Sequence, residues 1–260
     1  MQENILECLY VMLMKKLYKT SKTKMHFGVN LIPTVEMDTL ITWWHAAEEG
    51  KFEFIGVPDS PMLSRELYAS CMACALSTDK VKIAPMVSNP VSRHPSVAAS
   101  ALLALNDVAP GRIRFGIGVG DSAVFSIGEH GATVEDVRGY VKAVKGLHRG
   151  EEVEWNGKRF APMWKQFSPP VDVPVYVSCH APKITKMTAQ VADGVISGMG
   201  VLPENVQSVR DLVAEGALEV KRKSDDVDIW WHPIVYLAES KEEALFNMGS
   251  GGAHFLSRSS

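Results

Sequence analysis

The sequence predicts an α/β fold, a parallel-stranded barrel of the (β/α)8 TIM type, on three observations. Short apolar runs of strand length alternate with segments of helical spacing along most of the chain. The joining segments are short and carry proline, glycine or a capping side chain, as crossovers between parallel strands do. Seven such strands occur without the split into halves that marks a doubly wound sheet, the alternative arrangement. In both arrangements ligands bind at the carboxyl ends of the strands.

His26 to Leu31 reads as the first strand, closed by Pro33-Thr34. Asp38 is placed to cap a helix whose Leu40, Ile41, Trp44 and Ala47 share a face and which stops near Gly50. Phe54 to Val57 is the second strand, ending in Pro58-Asp59-Ser60-Pro61. Ser64 is the expected cap of the next helix, with Leu67, Tyr68, Cys71, Cys74 and Ala75 inward. Val81 to Val87 is the third strand, and a polar, proline-punctuated loop runs on to His94. Pro95 opens a helix, where its missing N–H costs nothing, and Pro110-Gly111 ends it. Ile113 to Ile117 is the fourth strand, followed by Gly118-Val119-Gly120-Asp121. No helix opens directly behind these glycines, so they are not a dinucleotide fingerprint.

Thr133-x-x-Asp136 has the form of a capping box for a helix with Val137, Tyr140, Val141, Val144 and Leu147 inward. Residues 150–172 break the rhythm. Val153-Glu154-Trp155 and Lys158-Arg159-Phe160 flank Asn156-Gly157, the strongest short hairpin signal, so this segment is an excursion from the main sheet. Val173 to Val177, Gly194 to Ser197 and Asp228 to Ala238 complete the strands, with helices opened by Pro182 and Pro203 between them. Lys241 to Asn247 begins a further helix. No eighth strand is recognisable after Asn247, so the barrel is expected to lack its last strand and to leave strands one and seven with unpaired edges.

A hydrophobic content of 46% and a charged content of 22% are globular values, and 260 residues can bury a sizeable core. A net charge of −3 gives no electrostatic basis for binding nucleic acid or an anionic membrane. Four cysteines (Cys8, Cys71, Cys74 and Cys179) are too few and too scattered for a disulfide framework, which points to a reducing cytoplasm. Cys71-x-x-Cys74 lies in mid-helix without a second ligand pair, so buried small residues explain it and no metal is expected. Residues 1–24 stand apart. Ile5 to Met14 is apolar but too short to span a bilayer, and Glu3 and Glu7 lie where a signal peptide would be positive. They read as an extension from an upstream start, outside a barrel domain covering 25–260.

Several short motifs recur in a specific order. They are Val87-Ser88-Asn89-Pro90 with Arg93-His94-Pro95, Gly111-Arg112, Gly116 to Asp121, Ala181-Pro182-Lys183, and Ala192 to Ile196. Through them the chain, from Met25 to about Ala244, resembles the bacterial luciferase-like superfamily in its branch of flavin- and coenzyme F420-dependent oxidoreductases. It is similar in particular to the methylenetetrahydromethanopterin reductase group. The resemblance implies FMN or coenzyme F420 as cofactor, a small organic substrate, and a cytoplasmic homodimer.

The resemblance also implies where the cofactor lies. Its ring would rest on Met86, Val87, Ser88 and Asn89, beside Gly118, with a non-proline cis peptide near Met86-Val87. Asp59 and Asn89 would face the pyrimidine edge, although both residue types also organise turns before Ser or Pro. Ser178, Ala181, Pro182, Lys183, Gly198 and Met199 would hold the phosphate end. That end has a physical basis too: Pro182 starts a helix, so the N–H groups of Lys183 and Ile184 are free at its positive pole. Gly198 and Gly200 offer an approach without side chains. Asp59 and His94 are the catalytic candidates, His94 reading equally as a structural contact before a helix. The family's oxygen-activating members carry a histidine after strand two, where this chain has Asp59-Ser60-Pro61, so hydride transfer is favoured. Trp231 and His232 are candidates to face the pocket. The rival reading is a non-catalytic flavin-binding barrel, and a weaker one is a phosphate-ester enzyme.

Overall fold

Seven short strands lie side by side, all parallel, in the order in which they occur in the chain. They are β1 (Gly28–Asn30), β2 (Phe54–Val57), β3 (Lys82–Pro85), β4 (Phe115–Ile117), β5 (Val175–Cys179), β6 (Gly194–Ser197) and β7 (Asp228–Trp231). The computed structural model describes residues 25–235 and 238–246. The Ile5–Met14 run, positions 236–237 and the stretch 247–260, where the sequence shows no eighth strand, lie outside the described residues. Continuous ladders join β1-β2-β3 and β4-β5-β6-β7. Single bridges, Ile83 to Ile113 and Ser88 to Ile117, link the two groups. Among the described residues β7 and β1 are not hydrogen-bonded to each other.

Among the described residues six long helices cover the outside: α1 (Met37–Glu49), α2 (Leu67–Ser77), α3 (Pro95–Val108), α4 (Val134–His148), α5 (Pro182–Val191) and α6 (Pro203–Glu219); a single helical turn, Ser122–Phe125, follows β4. Local chemistry sets most of their starts. Pro95, Pro182 and Pro203 occupy first turns. The capping box of α4 is complete, with Thr133 Oγ1 accepting the Asp136 N–H at 3.1 Å and Asp136 Oδ2 accepting the Thr133 N–H at 2.8 Å. Thr133→Ala is therefore expected to cost about 1 kcal/mol, read as a lower urea midpoint with an unchanged slope. Two caps differ from the sequence expectation. Glu36 precedes α1 and Asp38 falls in its first turn, where a carboxylate complements the helix dipole. Glu66, not Ser64, caps α2 by accepting the Ala69 N–H at 2.7 Å, while Ser64 Oγ donates to the Ser60 carbonyl at 3.1 Å.

The hairpin expected at Asn156-Gly157 is present, pairing Val153–Trp155 with Lys158–Phe160. Both turn residues have positive φ, 50° and 71°, as a type I′ turn requires. The seventh strand is shorter than expected. It stops at Trp231 because Pro233 has no N–H to continue the ladder, and residues 232–235 run on irregularly. Residues 241–246 are helical, as the sequence indicates. Cys71 and Cys74 are buried free thiols within α2.

Alternation along each strand divides the core in two. Ile55, Val57, Ile83, Phe115, Ile117, Val175, Val177 and Val195 face outward into the layer beneath the helices. Phe54, Ala84, Met86, Tyr176, Ile196 and Trp230 fill the interior. There Trp230 stacks on Phe54 at 4.3 Å and on Tyr176 at 4.1 Å between ring centroids. The Asp228 carboxylate accepts the Trp230 indole N–H at 2.8 Å and the Tyr176 hydroxyl at 3.1 Å. It is thus Trp230 that points inward; Trp231 packs in the outer layer, so one of the two expected pocket-facing residues is corrected.

Candidate functional site

The carboxyl ends of β3, β4 and β5 converge on one small surface. The Met86–Val87 peptide is cis, at the place where the resemblance puts it. Past it, Ser88 rejoins the sheet: its N–H donates to the Gly116 carbonyl at 3.0 Å, and its own carbonyl accepts the Gly118 N–H at 2.9 Å. A methyl group built on Gly118 would stand 3.1 Å from Val87 and 3.4 Å from the Ser178 Cβ. Val87, Gly118 and Ser178 are therefore brought close together, and a side chain at 118 would need its neighbours to give by a few tenths of an ångström. Asn30, at the end of β1, donates weakly from Nδ2 to the Met86 carbonyl at 3.5 Å, and its buried Oδ1 has no hydrogen-bond partner.

Three expected polar contacts are instead consumed by local structure. Asp59 is buried and grips Arg93 in a two-pronged ion pair, at 2.7 Å from Nε and 2.9 Å from Nη2, while also accepting Ser88 Oγ at 3.0 Å. Arg93 reaches Glu66 at 2.8 Å and lies over the Tyr68 ring. Burial works to lower the Arg93 pKa, but the hydrogen bonds and charge of Asp59, with Glu66, more than offset this and raise it. This network ties the loop after β2 to the loop after β3. Asn89 Oδ1 accepts the N–H groups of Val91 and Ser92 at 3.0 and 2.8 Å, the turn chemistry open to it from the sequence. His94 caps α3 by accepting the Ser96 N–H at 3.2 Å, and its ring packs on Phe160 of the hairpin.

At the end of β5, Ala181 gives α5 no side-chain cap, so the N–H groups of its first turn remain available. Lys183 there is exposed. Gly198 is not the open approach that its type suggests: the imidazole of His180 fills the space that a side chain would take. Met199 is half-buried, and its N–H lies 3.4 Å from Ser197 Oγ. His232, just past β7, joins the same rim; burial and the neighbouring His180 lower its pKa. The sequence passes over Asn30 and Trp230 as site residues. Their only signal is parity: both share the inward face of their strands.

A concavity of about 640 Å³ lies at the opposite end of the barrel between Leu76, Thr78, Lys80, Val108 and Arg112. The Arg112 guanidinium there is spent on Thr78 Oγ1 and the carbonyls of Ala75 and Val81.

A parallel barrel of this kind places its functional surface at the carboxyl ends of its strands. The chain belongs to the luciferase-like monooxygenase family, whose model matches residues 22–259. It is 26% identical over 225 residues to a 5,10-methylenetetrahydromethanopterin reductase of Archaeoglobus fulgidus, covering 85% of this chain and 67% of that protein. The fold is similar to the coenzyme F420-dependent tetrahydromethanopterin reductase of Methanopyrus kandleri, with a TM-score of 0.73 at 21% identity over 86% of this chain and 70% of the other. A type II Baeyer-Villiger monooxygenase component of Pseudomonas putida, in complex with FMN, gives a TM-score of 0.66 at 17% identity over 87% and 71%. The chain spans about two thirds of the length of the curated relatives it matches, 67% and 63% for the first two.

Proposed function

We propose that this chain is an FMN- or F420-dependent oxidoreductase that transfers hydride to or from a small organic substrate. The observation that carries the reading is the juxtaposition of Val87, Gly118 and Ser178 at the mouth, beside an uncapped helix start. Both relatives named with a cofactor use one of these two molecules.

When bound, the cofactor supplies the redox chemistry at its ring, and the protein supplies position and exclusion of water. Met86 and Val87, just past β3, would back the ring, and Ser88 and Gly118 keep the strand ends in register. Asn30 donates weakly from Nδ2 to the Met86 carbonyl, and its buried Oδ1 has no hydrogen-bond partner. The first turn of α5, with Lys183, takes the phosphate. Asp59 serves by neutralising Arg93, as a positioning residue.

The homodimer reading is supported by Leu76 on α2 and Val97 and Val108 on α3, exposed apolar residues on helices packed side by side. Light scattering coupled to gel filtration tests it. The free buried thiols of Cys71, Cys74 and Cys179 support a reducing cytoplasm. No described helix is long and apolar enough to cross a membrane.

Titration with FMN and with F420, followed by fluorescence, is expected to give binding at about micromolar Kd for one of them. Reduced cofactor should then be reoxidised by an organic acceptor without oxygen. Failure of both to bind overturns the reading. The rival, a binding barrel without turnover, is favoured by the full engagement of Asp59, Asn89 and His94 in local bonds. Tight binding with no turnover on any acceptor would support it.

A further inference from the structure

We infer that the mouth takes a neutral, apolar organic substrate, seated on a patch of aliphatic and aromatic side chains from the loops after β1, β2 and β4. This rests on the assignment of the mouth to a redox cofactor and adds the class of molecule that meets it there.

Ile32, Met62, Leu63, Phe125 and Ile127 are large apolar residues, 48% to 66% exposed. Single exposed residues of this kind are ordinary, but these five stand on three loops that hydrogen bonds tie together. The Pro33 carbonyl, next to Ile32, accepts the Arg65 N–H at 3.0 Å, which joins the first loop to the second. Ser60 Oγ lies 2.6 Å from Ser122 Oγ, which joins the second to the third. Between these ties the Ser60 carbonyl accepts the N–H groups of Leu63 and Ser64, both at 2.8 Å, and so fixes the turn that carries Met62 and Leu63. On the third loop Ala123 and Val124 are buried and anchor the helical turn Ser122–Phe125, leaving Phe125 and Ile127 outward. The patch borders the proposed ring position. Ser60 follows Asp59, which accepts Ser88 Oγ. Ser122 follows shortly after Gly118, whose N–H donates to the Ser88 carbonyl.

The charges on these loops select against an anion. Asp59 and Arg93 neutralise each other, and Arg65 turns back with its Nη1 3.4 Å from the Pro33 carbonyl. Asp121 and Glu129, on the third loop, are exposed and acidic, so they repel a phosphate or carboxylate approaching the patch. The short loops leading into β2, β3 and β7 at the other end of the barrel carry charge instead: Lys51, Asp79, Lys80 and the run Lys221-Arg222-Lys223-Ser224-Asp225-Asp226. The size of the patch suits a small molecule. Five partly exposed side chains fall well short of the about 20–30 residues that each side of a stable protein interface brings. A molecule that must reach the ring from solvent meets them on the way in.

The test titrates the cofactor-loaded protein with 1-butanol, 1-hexanol, 1-octanol and octanoate as binding probes, followed by cofactor fluorescence. Each added methylene should tighten binding by about two- to fourfold. Octanoate should bind at least about tenfold more weakly than 1-octanol. The M62Q/L63Q and F125S/I127S variants change exposed side chains only, so cofactor affinity should stay within about twofold of wild type. In both, the ratio of octanol to butanol affinity should fall by at least about fivefold. A wild-type ratio near one, a ratio unchanged in both variants, or octanoate binding as tightly as octanol overturns the proposal. Light scattering adds a further check: a wild-type dimer that M62Q/L63Q turns into a monomer would give the patch to a second copy, and overturn it too. If neither cofactor binds, the proposed function fails, and calorimetric titration of the cofactor-free protein with the same alkanols then tests the patch. A chain-length gain that the variants lose would sustain it, and no gain would overturn it.

Discussion

Arg93→Ala is expected to lower the melting temperature by about 10 °C. The Asp59 side chain is 1% exposed and Arg93 15%. Removing the guanidinium leaves a buried carboxylate facing Ser88 alone, and breaking a buried pair from one side costs about 3–5 kcal/mol. A domain of this size loses about 2–4 °C per kcal/mol. The double variant Asp59→Asn with Arg93→Gln removes both charges and should recover at least half of the loss. Because the pair joins the loops after β2 and β3, Arg93→Ala should weaken cofactor binding too. A melting curve within about 2 °C of the wild type would refute the network as a support.

The second large effect is on binding rather than stability. Gly118→Leu places a branched side chain between Val87 and Ser178, where even a methyl group would stand 3.1 Å from Val87. Cofactor affinity should fall by about 100-fold or more, equivalent to about 2.7 kcal/mol. The fold should survive with a cost of about 1–3 kcal/mol, since the added volume points into the mouth. Gly118→Ala should be milder, because its neighbours need to give way by only a few tenths of an ångström. Unchanged affinity in Gly118→Leu would remove the ring from this position. Retained circular dichroism and a cooperative melt would separate lost binding from lost folding.

Local features of the fold were legible in the sequence. The Thr133–Asp136 box, the Asn156-Gly157 turn and the helix-opening prolines act within a few residues, so their spacing carries the information. Pairings between distant loops were not. Asp59 and Arg93 are 34 residues apart, and only the convergence of two strand ends makes them partners. The same is true of His180 over Gly198, which depends on the β5–β6 register that sets Cys179 opposite Ser197. Trp230 and Trp231 were ambiguous for a different reason. A barrel strand is buried on both faces, so hydrophobicity alone does not show which indole points inward. Asn89 and His94 had two readings in sequence, and the structure shows the turn and the cap in place.

The stack of Phe54, Trp230 and Tyr176 has a consequence for how the curved sheet keeps its shape. A barrel is usually held as a hoop, by hydrogen bonds running unbroken around its circumference. Here the ring on β7 presses directly on the ring on β2, across the interval where, among the described residues, β7 and β1 are not bonded to each other. Side chains thus act as spokes, each aromatic contact contributing about 0.5–1.5 kcal/mol beyond its buried area. Curvature set from the hub does not depend on hydrogen bonds between β7 and β1, so the ends of β3, β4 and β5 keep their convergence from within.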